Sequence, residues 1–108
     1  MDLNLPKPIE LYFTAENANN VDGLASCFTR EGTVLDEGRT LKGREAIKAR
    51  NLATKAKYGH VVEPLEIDED AERVIVKGRV SGNFPGSPIV LPFSFQLAGD
   101  QIAHLEIG

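Results

Sequence analysis

At 108 residues the chain can bury one real core and has no room for a second, so it reads as one domain over residues 1–108. Hydrophobic residues make up 42% and charged residues 26%, the ordinary balance of a soluble globular protein, which excludes fibrous and low-complexity classes. The formal charge of -4 argues against a nucleic-acid partner, and no apolar stretch approaches the roughly 20 residues needed to cross a membrane.

The chain opens with helical signals. Pro6 and Pro8 suit a first helical turn, where a missing N–H costs nothing. Ile9, Tyr12, Phe13 and Glu16 then recur at helical spacing and give one largely apolar face. Asn17-Ala18-Asn19-Asn20 stops that helix, and Asn20 is placed to cap a second one with Asp22 in its first turn. Val21, Leu24, Ala25 and Phe28 predict the buried stripe of this second helix, with Glu31-Gly32 as its break. A short strand is expected at residues 33–36, then a turn at Glu37-Gly38-Arg39 and a brief extended piece at residues 40–42. Gly43 starts a third helix that ends at Tyr58-Gly59, although Ile47 is its only large aliphatic residue before Leu52.

The second half is rich in β signals. Residues 60–67 read as a strand in which Pro64 demands a bulge or an edge position. Residues 73–81 alternate, with Val74, Val76 and Gly78 on one side and Ile75, Lys77 and Arg79 on the other. The segment 82–88 is crowded with turn formers and reads as a well-specified turn between strands, with Phe84 as a lid on a pocket rim as the functional alternative. Residues 89–97 and 101–107 close the chain as two strands around Ala98-Gly99-Asp100. In the last strand Ile102, His104 and Glu106 share one face, and Ala103, Leu105 and Ile107 the other. Helices followed by an antiparallel meander point to α+β, with a curved sheet wrapped by helices around a pocket.

Few residues carry chemistry. Asp36 sits on a strand among apolar neighbours, as a proton-transfer base or as a cap on the Gly38 turn. Cys27 is the single cysteine, so no internal disulfide is available, which fits a reducing cytoplasmic setting. As a nucleophile it would need His60 or His104 as activating base. Lys42, Arg44, Lys48, Arg50, Lys55 and Lys57 read as a solvated face. His, Cys and carboxylates show no metal-ligand spacing, so neither a metal nor another cofactor is expected. Residues 1–4 lack the basic-then-apolar pattern of a secretory leader.

Taken together, Tyr12-Phe13-Thr14-Ala15-Glu16-Asn17, Leu24 to Phe28, Gly32 to Asp36, Gly43 to Ile47 and Gln101 to Glu106 resemble the SnoaL-like members of the nuclear-transport-factor-2-like superfamily. That superfamily includes ketosteroid isomerases and polyketide cyclases, along with non-enzymatic binders. The resemblance implies a cone-shaped α+β fold, an apolar cavity for a small molecule, and a homodimer joined through the exposed sheet face. It implies Asp36 as general base and Tyr12 as hydrogen-bond donor to a developing oxyanion, as in the isomerases. Phe28, Phe93, His104 and Arg50 are the implied substrate-binding positions. Two departures stand out. The strand around Pro92-Phe93-Ser94-Phe95 carries no second acid, and Arg50 stands where relatives place a pocket aromatic. Facing inward, Arg50 would pair with Asp36 or hold an anionic group; facing outward, it would be solvated.

Overall fold

Proline begins the first helix as its position suggests. Pro6 is the N-cap of α1 (Lys7–Asn17), and Ile9, Tyr12, Phe13 and Glu16 all turn inward. The last residue of α1 does more than stop it. The Asn17 amide donates to the Val62 carbonyl at 2.7 Å and accepts from the Val62 N–H at 2.8 Å, acting as a substitute strand against an open backbone edge. Asn20 caps α2 (Val21–Ser26) by accepting from the Gly23 N–H at 3.0 Å, as expected. These positions belong to a computed structural model that describes residues 3–108; Met1 and Asp2, on which the leader reading partly rests, lie outside it.

The expected helical stripe through Phe28 is corrected. The helix ends at Ser26, and β1 (Phe28–Asp36) begins almost at once. Long-range bonds pull the chain out of the helix there. The Cys27 carbonyl accepts the Ile102 N–H at 2.7 Å, and the Phe28 carbonyl takes both Arg44 Nη2 at 2.8 Å and Gln101 Nε2 at 3.2 Å. The expected break at Glu31-Gly32 becomes an irregularity inside the strand, since its register against its neighbour shifts between Phe28 and Thr33. Arg44 is thereby removed from the solvated face assigned to it.

The remaining elements are β2 (Arg39–Lys42), α3 (Arg44–Tyr58), β3 (Val61–Glu69), β4 (Val74–Ser81), β5 (Ile89–Ala98) and β6 (Gln101–Ile107). They build a six-stranded sheet ordered β2-β1-β6-β5-β4-β3, in which β3 to β6 form the antiparallel meander and β1 runs parallel to β6. Pro64 satisfies both of its expectations, because β3 is an edge strand and its register shifts between Pro64 and Glu66. The two-face reading of β6 is corrected. Leu97 pairs with Ile102 but Gln96 pairs with His104, so Ala103 is an extra residue that changes the phase of the strand. Ile102 and Leu105 consequently share the buried side at 0% exposure.

The core lies between the sheet and α1. Tyr12 and Phe13 meet Phe95 edge-on at ring separations of 5.5 and 5.9 Å, and Phe13 meets Phe93 at 5.5 Å. Gly78 is required under this cluster. A Cβ there would lie 2.8 Å from Val62 Cγ1 and 2.9 Å from Phe93 Cε1. Gly78→Ala should therefore overpack the sheet and cost about 1–3 kcal/mol in urea denaturation. A variant as stable as the wild type would show that β3, β4 and β5 do not pack this closely.

Candidate active site

Between α3 and the sheet lies a cavity of about 300 Å³. Its α3 wall is made by Ile47, Arg50, Asn51, Thr54 and Tyr58, one stripe at helical spacing, yet Ile47 is the only buried residue of that helix. This explains why the core face of α3 is weak in the sequence: much of it borders space rather than side chains. Apolar residues of β1, β4 and β5, Phe93 among them, form most of the remaining wall.

Asp36, the last residue of β1, lines the cavity with its side chain 25% exposed. Arg50 faces inward: its Nη2 lies 3.8 Å from Asp36 and 3.2 Å from Glu37, while its Nε donates to Thr54 Oγ1 at 3.1 Å. Burial pushes the Asp36 carboxyl up, and the Glu37 charge adds to this; Arg50, His60 and the Glu37 amide pull the other way without cancelling it. The outcome is a carboxylate with more proton affinity than a free aspartate. Tyr12 is 5% exposed and also lines the cavity. Burial, then the charges of Glu16 and Asp36, raise its phenol well above the usual range, so it stays protonated and able to donate.

A second polar cluster stands on the same wall. Glu16 reaches from α1 into the protein with its side chain 4% exposed. Its Oε1 lies 2.9 Å from His60 Nε2 and 3.1 Å from Lys55 Nζ, close contacts that are not aligned as hydrogen bonds. Its Oε2 accepts from Asn51 Nδ2 at 3.1 Å. Burial alone would raise the Glu16 carboxyl, but the His60 contact and the Lys55 charge outweigh it and hold the group below its ordinary value.

Of the residues expected at the site, the fold brings Asp36, Tyr12, Arg50, Phe28 and Phe93 to one cavity. It does not bring His104 there. The bulge at Ala103 turns that ring to the other side of the sheet, where Nδ1 lies 2.6 Å from Thr33 Oγ1. Lys55 is corrected from the solvated face, its side chain being 11% exposed against Glu16. Glu16 and Asn51 join the lining without having been singled out as site residues, the available signal being a glutamate on an otherwise apolar helix face, and His60, considered above as a base for Cys27, lines it as well. Cys27 is buried, its thiol donates to the Gly23 carbonyl at 3.3 Å, and burial raises its proton affinity, the opposite of an activated nucleophile. Among the described residues no group of three or more His, Cys, Asp or Glu is placed to hold a metal ion. Among the described residues no helix is long and apolar enough to cross a membrane.

Glu16→Gln should lower stability by about 3 kcal/mol near neutral pH, because it strands the buried Lys55. The carboxyl is lower in the folded chain than in the unfolded one, so its contribution is complete above the ordinary glutamate range and is lost as pH falls through the lowered folded value. Urea midpoints of wild type and variant should therefore converge on acidification. A gap that stays constant down to about pH 3 would contradict the ionised network.

No curated protein matches the chain. Solved structures do. A protein of Sinorhizobium meliloti, provisionally described as a polyketide cyclase, is 39% identical with a TM-score of 0.94, over 97% of this chain and 96% of its own. A protein of Catenulispora acidiphila with a ketosteroid isomerase-like fold, solved with trimethylamine, is 21% identical with a TM-score of 0.84, over 97% and 86% of the two chains. A cystatin-fold protein of Novosphingobium aromaticivorans is 18% identical with a TM-score of 0.80, over 99% of both. The latter two show the fold alone. The SnoaL-like domain profile matches residues 9–105, nearly the whole chain, and the α+β architecture around a cone-like pocket agrees with it. The chain belongs to the SnoaL-like domain family.

Proposed function

We propose that the protein is a cofactor-independent enzyme that moves a proton on a small, apolar carbonyl compound held in the cavity. The observation that carries this reading is the meeting of Asp36 and Tyr12 on one mostly apolar cavity, with the Asp36 carboxyl raised by burial. Asp36 is the base that takes a proton from the carbon beside the carbonyl. The C–H electrons form the enolate, and the Tyr12 phenol donates a hydrogen bond to the oxygen on which charge develops. A raised carboxyl is the better base for this work, while the raised phenol remains a donor rather than becoming a competing anion. Arg50 keeps Asp36 ionised and anchors any anionic substituent.

The description of the Sinorhizobium relative as a polyketide cyclase supports the same chemistry, since closing a ring onto a carbonyl begins with such a proton removal. The proposal includes a homodimer joined through the sheet face turned away from the helices, and a cytosolic setting in which Cys27 stays reduced. One observation favours a second reading. The cavity face of β5 presents Phe93 where a second acid would stand, which fits a module that binds an apolar molecule without turning it over.

Deuterium exchange at the α-carbon of a panel of small cyclic ketones, followed by NMR, tests the proposal. The wild type should catalyse exchange, and Asp36→Asn should slow it by about a hundredfold or more. Ketones that bind without exchanging would favour the binding module; equal rates in wild type and Asp36→Asn would remove Asp36 from the chemistry.

A further inference from the structure

Where the cavity meets solvent it carries an ion pair whose two halves are held very unequally. Arg50 is fixed: its Nε donates to Thr54 Oγ1 at 3.1 Å, and that hydroxyl donates in turn to the Arg50 carbonyl at 2.8 Å. Its side chain is 20% exposed and lines the cavity beside Asp36. Glu37 also lines it and accepts from Arg50 Nη2 at 3.2 Å, but its side chain is 67% exposed. Among the described residues the Glu37 carboxylate has no other partner. The backbone beneath it is unusual as well. Asp36 pairs with Arg39 across a two-residue turn in which Glu37 and Gly38 have φ of 53° and 74°. Such a turn favours Asn or Asp before Gly, and a glutamate at positive φ is uncommon. Asn or Asp would suit this backbone better, yet each is one methylene shorter.

An exposed carboxylate gains little from such a pair, so the fold loses almost nothing when Glu37 lets go. Arg50 stays in place when it does, because Thr54 holds the other edge of the guanidinium. The contacts named engage Nε and Nη2, and a guanidinium with five N–H groups keeps donors for a two-pronged grip on a carboxylate. Exchange of one carboxylate for another also leaves the local charge as it was, with Arg50 still beside Asp36. No uncompensated charge is brought into the cavity by the exchange.

We propose that Glu37 stands in for an anionic group of the substrate, which displaces it from Arg50 on binding, so that Arg50 selects carbonyl compounds that carry a carboxylate. The inference deepens the reading of Asp36 as the carbon base and rests on it for the position of the reacting carbon. Arg50 Nη2 lies 3.8 Å from Asp36 Oδ2. A carboxylate gripped by one and a carbon meeting the other are therefore about two to four bonds apart. The rest of the cavity wall is mostly apolar and takes the hydrocarbon part of the molecule. The substrate class narrows to oxo acids with an apolar ring or chain, whose carboxylate lies a few bonds from an enolisable carbon. Neither Arg50 nor Glu37 moves a proton; they determine which molecule presents its carbon to Asp36.

Calorimetric titration with 3-oxocyclohexanecarboxylate and with its neutral methyl ester tests the proposal. In both compounds an enolisable ring carbon lies between the ketone and the carbon that bears the carboxyl group. The wild type should bind the acid about tenfold more tightly than the ester. Arg50→Gln should remove that preference, whereas Glu37→Gln, by clearing the competing carboxylate, should enlarge it severalfold. The acid-to-ester ratio is the readout, because a general loosening of the cavity weakens both compounds together. An acid bound no better than its ester by the wild type overturns the proposal. So does a preference that survives Arg50→Gln, or one that Glu37→Gln leaves unchanged or reduces. Deuterium exchange beside the ketone, followed by NMR on the same two compounds, separates this inference from the one beneath it. Exchange of the acid that Asp36→Asn slows supports both. A wild type that prefers the acid yet exchanges neither compound overturns the Asp36 chemistry and leaves the Arg50 subsite standing.

Discussion

The buried carboxylate of Glu16 is the contact on which the rest of the structure depends. It joins α1 to Asn51 and Lys55 of α3 and to His60 at the entry to β3. Asn17, one residue further, fastens the same end of α1 to Val62 on the sheet edge. These polar struts fix α3 beside the sheet without filling the space between them. An apolar side chain at position 16 would gain more by collapsing onto its neighbours, and the cavity would shrink accordingly. The charges therefore preserve an opening that hydrophobic packing would tend to close.

That opening sets the electrostatics. Asp36 is pulled in two directions, up by burial and Glu37, down by Arg50 and His60, and the upward pull prevails. Glu16 has the opposite balance, because its cationic and hydrogen-bonding neighbours overcome a deeper burial. Two carboxylates on one cavity thus diverge: one holds protons more tightly than usual and the other less. Divergent neighbours of this kind let one site contain both a base and a fixed anionic support.

Much of the fold was legible because its signals are local. Ile9, Tyr12, Phe13 and Glu16 define the inner face of α1, Asn20 announces a cap, and Pro64 marks an edge. What escaped the sequence depends on distant partners. Phe28 left its helical pattern because Ile102, Arg44 and Gln101 bind the backbone on either side of it. Ala103 reversed the faces of β6 through an unpaired residue that strict alternation has no means to signal. The site divides in the same way. Asp36, Tyr12, Phe93 and Arg50 stand at positions the family resemblance carries, whereas Lys55 looks like any solvated helical cation until the neighbouring cavity is known. Glu16 was visible as a charge on an apolar face, and its partners were not.

The central claim is that Asp36 works as a base inside a desolvated cavity rather than as half of a surface ion pair. Titration of its carboxyl carbon by NMR in the wild-type protein tests that claim most directly. A midpoint above the ordinary aspartate value of about 3.9 is expected, because burial outweighs Arg50. A midpoint at or below that value would mean that Arg50 dominates and that Asp36 is a salt-bridge partner with no gain in basicity.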